Sequence, residues 1–174
     1  NQISGVIAIG GDDTLGAAAK LHTAGIPIVG IPKTIDNDLP GTYWTPGYPT
    51  AAVRIAHFAH ELRTHAAYTL NRIFIMESLG GSYASWLAAA ASFGGADVII
   101  PCERKHKLAR VLSIIKKRYI ANGNYALVVM AQEAKFDTPL EGIRDQQQDS
   151  YNVARTHFRS LALGSVIKNK LGLD

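Results

Sequence analysis

The sequence predicts an α/β fold, with mostly parallel sheets and helices on both faces. Three observations predict it. Short apolar runs alternate with stretches of helical spacing along the chain, which is the signature of strand–helix–strand units. The first two runs, residues 6–9 and 26–31, flank one short amphipathic segment, and a right-handed crossover makes such strands parallel. Further runs at 73–76, 96–101 and 125–130 read as strands, the last of them buried, with helical patterns between.

Composition narrows the function classes. At 174 residues the chain can build one good core or two small lobes. Hydrophobic residues make up 47% and charged residues 18%, ordinary for a globular protein. The net charge of +4 suits anionic substrates. Basic residues are scattered, without an arginine-rich arm or aromatic stacking pattern, so no nucleic-acid partner is expected. One cysteine, Cys102, excludes an intrachain disulfide framework and fits a reducing compartment. No window reaches the roughly 20 apolar residues of a membrane span. The expected location is cytoplasmic.

The run at 6–9 ends in Gly10-Gly11-Asp12-Asp13-Thr14, and a helical pattern begins at Leu15 with Ala18, Ala19 and Leu21, closed by Ala24-Gly25. A strand, a glycine pair and a helix start make a phosphate cradle, in which backbone N–H groups approach the anion. Two acids there would repel bare phosphate. They make sense with Mg2+ between carboxylate and phosphate oxygens. The second run stops at Pro32, which cannot donate to a ladder, and leads to Lys33, Asp36 and Asp38. From the residues alone two readings stay open. One is an ordinary loop of Asx turns; the other is a cation and a carboxylate pair at the carboxyl end of a strand, where α/β folds place their chemistry.

Residues 41–49, rich in Gly, Pro and Thr, read as a connection, and a lobe boundary is placed there, dividing 1–46 from 47–174. A helix is predicted over 50–64. His57 and His60 on it could suit a metal, but without a third ligand a solvated helix face is favoured. Arg72 opens the strand 73–76. Residues 77–86 run into an alanine-rich helix at 87–92. After the strand 96–101, the basic run 102–107 could serve as an anion patch, but a solvated helix start is favoured. The helix 108–122 places Leu108, Val111, Leu112, Ile115 and Tyr119 on one face, with Gly123 behind it. Residues 136–148 read as irregular, and a final helix is sketched from Tyr151 to Leu171.

Gly10-Gly11-Asp12-Asp13-Thr14 followed by Pro32-Lys33-Thr34-Ile35-Asp36-Asn37-Asp38 resembles the 6-phosphofructokinase family. Two linked motifs in the right order are far more specific than a lone glycine motif. The resemblance implies a partial, Rossmann-like phosphofructokinase fold. Residues 1–46 would be the remainder of the donor lobe and 47–174 a truncated sugar-phosphate lobe. It implies Asp36 as the base that takes the proton from the 1-hydroxyl of fructose 6-phosphate, with Lys33 assisting transfer. Asp12 would serve Mg2+, and Gly10, Gly11, Asp13 and Thr14 would hold the donor. Thr34, Ile35, Asp38, Arg72, Leu79, Gly80, Gly81, Gln132 and Glu133 would line the sugar site. Members using ATP usually carry glycine where this chain has Asp13 and Lys33, and pyrophosphate-dependent members resemble it at both. A carboxylate at 13 would repel a nucleotide α-phosphate, so pyrophosphate is the expected donor.

The chain also departs from the family. Leu79 and Gly81 replace the methionine and arginine of a Met-Gly-Arg motif, leaving only Gly80. Cys102 stands where Pro-Glu is usual, and Gln132 occupies the place of a sugar-binding glutamate, with Glu133 one position later. The family's first glycine-rich loop and its Gln-Arg-Gly-Gly-like turn have no counterpart, so a fragment or truncated member is expected. Family precedent implies a homo-oligomer in which Arg72 reaches across an interface. The alternatives are a non-catalytic regulatory member, an ATP-dependent enzyme, one acting on another sugar phosphate, and a relative of the diacylglycerol and NAD kinases, which the second motif does not resemble.

Overall fold

The computed structural model describes residues 3–67, 71–80, 84–140, 147–148, 154–155 and 159–173. Strand β1 (Val6–Gly10) leads into helix α1 (Asp12–Thr23) and then strand β2 (Ile28–Pro32), which pairs parallel with β1. The helix begins at Asp12, three residues before the apolar periodicity. Asp12 and Asp13 therefore occupy its first turn, where acidic side chains complement the exposed N–H groups. Leu15 packs over Gly30: a Cβ there would lie 2.8 Å from Leu15 Cδ2. The other face of the pair presents Ile7, Ile9, Val29 and Ile31, all exposed.

Helix α2 (Tyr48–His65) starts two residues earlier than its periodicity, with Pro49 in its first turn, where a missing N–H costs nothing. It leads to strand β3 (Ile73–Ser78), helix α3 (Trp86–Ala90), a 3-10 turn (Ala91–Gly94) and strand β4 (Val98–Ile100). Strand β5 (Lys105–His106) and helix α4 (Leu108–Ala121) precede the central strand β6 (Ala126–Ala131). The sheet order is β3-β6-β4, all parallel.

Every residue of β6 is buried. Val128 and Met130 join Leu108, Val111, Leu112 and Ile115 of α4, while Leu127, Val129 and Ala131 face Ala59, Met76, Ala88 and Ala91. Period-2 alternation thus splits one continuous apolar run between two cores with helices on both faces. Asp97 ties the layers together: Oδ1 accepts from Asn122 Nδ2 (2.9 Å), Oδ2 accepts from the Leu127 N–H (2.8 Å), and Arg63 lies 3.6 Å away.

Three expectations need correction. The basic run 102–107 is not a helix start, because β5 pairs parallel with strand β7 (Lys135–Phe136) and the helix waits until Leu108. There the carboxylate of Asp137, from beyond β7, accepts the Leu108 N–H at 2.9 Å and caps α4. The stretch 136–148 also contributes Gln147–Gln148 (β8), antiparallel to Ala154–Arg155 (β9). The last helix, α5 (Arg159–Leu171), therefore begins well after Tyr151; Tyr151 itself lies outside the described residues. Among the described residues no helix is long and apolar enough to cross a membrane.

Candidate functional site

The two glycine-and-acid loops meet. The Lys33 N–H donates to the Gly10 carbonyl at 2.8 Å, continuing the β1–β2 ladder one residue past Pro32. Gly11 lies against Thr34, so that a Cβ added there would sit 3.4 Å from Thr34 Cβ. The carboxyl ends of β1 and β2 consequently open side by side, as ligand-binding crevices do in open α/β sheets. Gly10 has no room for a side chain, since a Cβ would lie 2.4 Å from Thr14 Oγ1. Asp12, Asp13 and Thr14 are exposed on the first turn of α1, and Lys33 is exposed beside them.

Asp36 is half-buried. Its N–H donates to Thr34 Oγ1 at 3.1 Å. Desolvation by burial, then the neighbouring charge of Asp38, push its carboxyl above the usual aspartate range, while a hydrogen bond with Thr34 pulls the other way. Ile35 is exposed, with its methyl over Gly47. The loop is closed by Thr45 and Asn37. The Thr45 N–H donates to Asn37 Oδ1 (2.9 Å), and the Thr45 hydroxyl donates to the Thr34 carbonyl (2.8 Å). Sequence reasoning singles out neither residue: Asn37 lies between Asp36 and Asp38 with no assigned role, and Thr45 lies in the stretch 41–49 that reads as a connection.

No three His, Cys, Asp or Glu side chains gather to hold an ion among the described residues. The turn offers instead two exposed carboxylates, Asp12 and Asp13, beside glycine backbone. That donor set fits Mg2+, which binds through one or two carboxylates and completes its shell with phosphate oxygens and water.

A second group lies at the carboxyl ends of β3 and β6. The Gln132 N–H donates to the Ser78 carbonyl at 2.9 Å, so Leu79, Gly80, Gln132 and Glu133 share one sheet edge. Gly80 is buried, and a Cβ on it would lie 2.3 Å from the Ala84 carbonyl. Leu79 is exposed; Gly81 lies outside the described residues. Glu133 is engaged by Arg159 at 3.4 Å. Arg72 precedes β3 and is exposed. It therefore sits at the opposite end of a strand roughly 20 Å long from the other four, and the structure does not bring it to them.

The missing Pro-Glu pattern has a local answer. Cys102 is buried, its thiol pushed up mainly by that burial. Glu103 takes the Ser85 N–H (2.8 Å) and the Ser85 hydroxyl (2.7 Å) at the start of α3. Desolvation works upward on Glu103 but is outweighed by hydrogen bonds led by that from Ser85, which hold it below the usual carboxylate range.

The sequence profile of the family described as Phosphofructokinase matches residues 1–170. The chain belongs to the phosphofructokinase family. A pyrophosphate–fructose 6-phosphate 1-phosphotransferase of Dictyoglomus thermophilum is 35% identical over 179 residues, covering 99% of this chain and 50% of that protein. An ATP-dependent 6-phosphofructokinase of Chloroflexus aurantiacus is 37% identical over 131 residues, covering 75% of this chain and 36% of its own length. Phosphofructokinase relatives of both donor types thus match at similar identity. The pyrophosphate-dependent phosphofructokinase structure from Marinobacter aquaeolei superposes with a TM-score of 0.75 at 24% identity, covering 99% of this chain and 43% of that one. That likeness assigns the phosphofructokinase fold. The chain spans half the length of its Dictyoglomus relative.

Proposed function

We propose that the protein carrying this chain transfers a phosphoryl group from pyrophosphate to the 1-hydroxyl of fructose 6-phosphate, giving fructose 1,6-bisphosphate. One observation supports the reading: the Lys33 N–H donates to the Gly10 carbonyl and Thr34 lies against Gly11, so the stretch that carries Lys33 and Asp36 adjoins the Gly10–Gly11 turn. Gly10, Gly11, Asp13 and Thr14 hold the donor, and Asp12 holds Mg2+. When bound, the ion supplies electrostatic neutralisation of phosphate charge. Lys33 adds a point charge at the group in transfer. Asp36 accepts the hydroxyl proton, a task helped by a pKa raised toward the working pH. Thr34, Ile35 and Asp38 flank the acceptor, with Leu79, Gly80, Gly81, Gln132 and Glu133 toward the sugar.

Asp13 and Lys33 support pyrophosphate over ATP, because a carboxylate beside the cradle disfavours a nucleotide α-phosphate. In a coupled assay of the protein as its source produces it, turnover with pyrophosphate is expected and turnover with ATP is not. Activity with ATP alone reverses the donor assignment.

The raised pKa gives a second expectation. Asp38→Asn removes one of the two upward influences on Asp36 and leaves the larger, burial, in place. The acid limb of the kcat/KM profile should therefore move to lower pH. An unmoved limb would separate Asp36 from the titration that governs activity.

Arg72, at the far end of β3, suits delivery to the sugar site of another copy, and we read the assembly as a homo-oligomer working in the cytoplasm. The ion pair of Glu133 with Arg159 lends weight to a second reading, a non-catalytic member that binds a sugar phosphate. Absence of turnover with any sugar phosphate would favour it.

A further inference from the structure

Thr45 is fully buried, at 0% exposure, although its side chain is polar. A buried hydroxyl is retained where its hydrogen bond is made, because an unmade one costs a full desolvation penalty. Its bonds go to the two residues that bracket the Asp36 turn: the hydroxyl to the Thr34 carbonyl (2.8 Å), and the backbone N–H to the Asn37 side chain (2.9 Å). Asn37 lies between the two carboxylates with φ of 54°, left-handed backbone that asparagine tolerates better than most residues. The anchor for this clamp is the first turn of α2. The Thr45 carbonyl accepts the Tyr48 N–H (3.0 Å), and the Gly47 carbonyl accepts the Ala51 N–H (3.0 Å). Gly47 runs beside Thr34 as an isolated parallel bridge at φ of 111°, and a Cβ there would press to 3.2 Å from the Thr34 carbonyl.

We propose that Thr45, acting through Thr34 and Asn37, is a positioning residue that fixes where the Asp36 carboxylate stands relative to the acceptor hydroxyl. The inference rests on the reading of Asp36 as the base. The chemistry asks for such a brace. Asp36 and Asp38 repel each other on a short loop, and burial penalises the charge of the first. A loop under those forces drifts toward solvent unless its backbone is held. Misplacement by about 1 Å can cost a hundredfold in rate. Thr45 itself is fully buried and lies behind Thr34, so it meets neither donor nor sugar directly. Its removal should therefore act on turnover more than on binding.

Three variants test this with fructose 6-phosphate and pyrophosphate, in the protein as its source produces it. Thr45→Val keeps the shape and removes the hydroxyl. Thr45→Ser keeps the hydroxyl. Asn37→Gly keeps access to the left-handed backbone and removes the acceptor. Thr45→Val should lower kcat by about 10- to 100-fold with the KM for fructose 6-phosphate changed less than about threefold, and Thr45→Ser should restore most of the loss. Asn37→Gly should fall in kcat in the same manner, and it carries the test alone if Thr45→Val does not fold. A loss confined to KM, equal losses in Val and Ser, or full kcat in both Thr45→Val and Asn37→Gly would overturn the clamp. Asp36→Ala run beside them keeps the two readings apart. If it retains turnover, the base assignment falls. If it is inactive while Thr45→Val and Asn37→Gly are unchanged, only the clamp falls.

Discussion

Replacing Asp36 with alanine is expected to lower turnover by about a hundred- to ten-thousand-fold, the range a positioned proton acceptor supplies, while fructose 6-phosphate still binds within a few-fold by calorimetry. The split follows from the proposed role, since a base acts on the hydroxyl proton in the transition state and adds little to ground-state affinity. A stability measurement separates this from misfolding. A carboxyl whose folded-state pKa lies above its unfolded value binds its proton more tightly when folded. Folding is then favoured below the unfolded value and penalised as pH rises through the folded one. Asp36 is such a group, raised first by burial and then by Asp38. At neutral pH its charge works against the fold, and neutral Asp36→Asn should melt no lower than the parent while losing turnover as Asp36→Ala does. Turnover preserved in both variants would remove Asp36 from the chemistry.

Much of the fold could be read from the residues because its strongest signals are local. The run of β6 and the helical spacing of α4 each declare one element from a single window, and Gly30 over Leu15 follows once β1, α1 and β2 are in place. The same holds for the loops of the candidate site, whose glycines and acids lie on two short stretches of sequence. What stayed hidden was made by partners distant in sequence. Glu103 hydrogen-bonds Ser85, and Asp137 caps α4. Lys105–His106 pairs with Lys135–Phe136 although its own residues carry no strand pattern. Thr45 was hidden for a related reason. Between glycines and prolines a threonine reads as linker, and only its burial and its two bonds back to 34 and 37 give it a role. The helix starts slipped by two or three residues because apolar periodicity begins where the core begins, whereas hydrogen bonding begins at the cap.

Gly94→Ala should be the most damaging small substitution outside the loops, costing about 3 kcal/mol or more by overpacking and lowering Tm by roughly 6 to 12 °C for a chain of this size. Gly94 closes the 3-10 turn after α3 and lies directly on α2. A Cβ there would sit 2.1 Å from the Ala56 carbonyl oxygen, 2.8 Å from Ala59 Cβ and 2.9 Å from the His60 nitrogen. Two of those atoms are α2 backbone, so relief requires moving the helix rather than a side chain. Ala59, Ala88 and Ala91 are all at 0% exposure, which shows how closely the helices approach and how little slack the contact holds. Gly16→Ala is the control: it lies in α1 with nothing within 4 Å of an added Cβ, and should stabilise by about 0.5 to 1 kcal/mol through helix entropy alone. Because the first turn of α2 anchors Thr45, the Gly94 variant should also lose more turnover than its unfolded fraction explains, measured well below its Tm. A Gly94→Ala protein with the parent's Tm would mean that α2 does not rest on residues 91–94. A lowered Tm with full specific activity would mean that the lateral position of α2 does not reach the loop carrying Asp36.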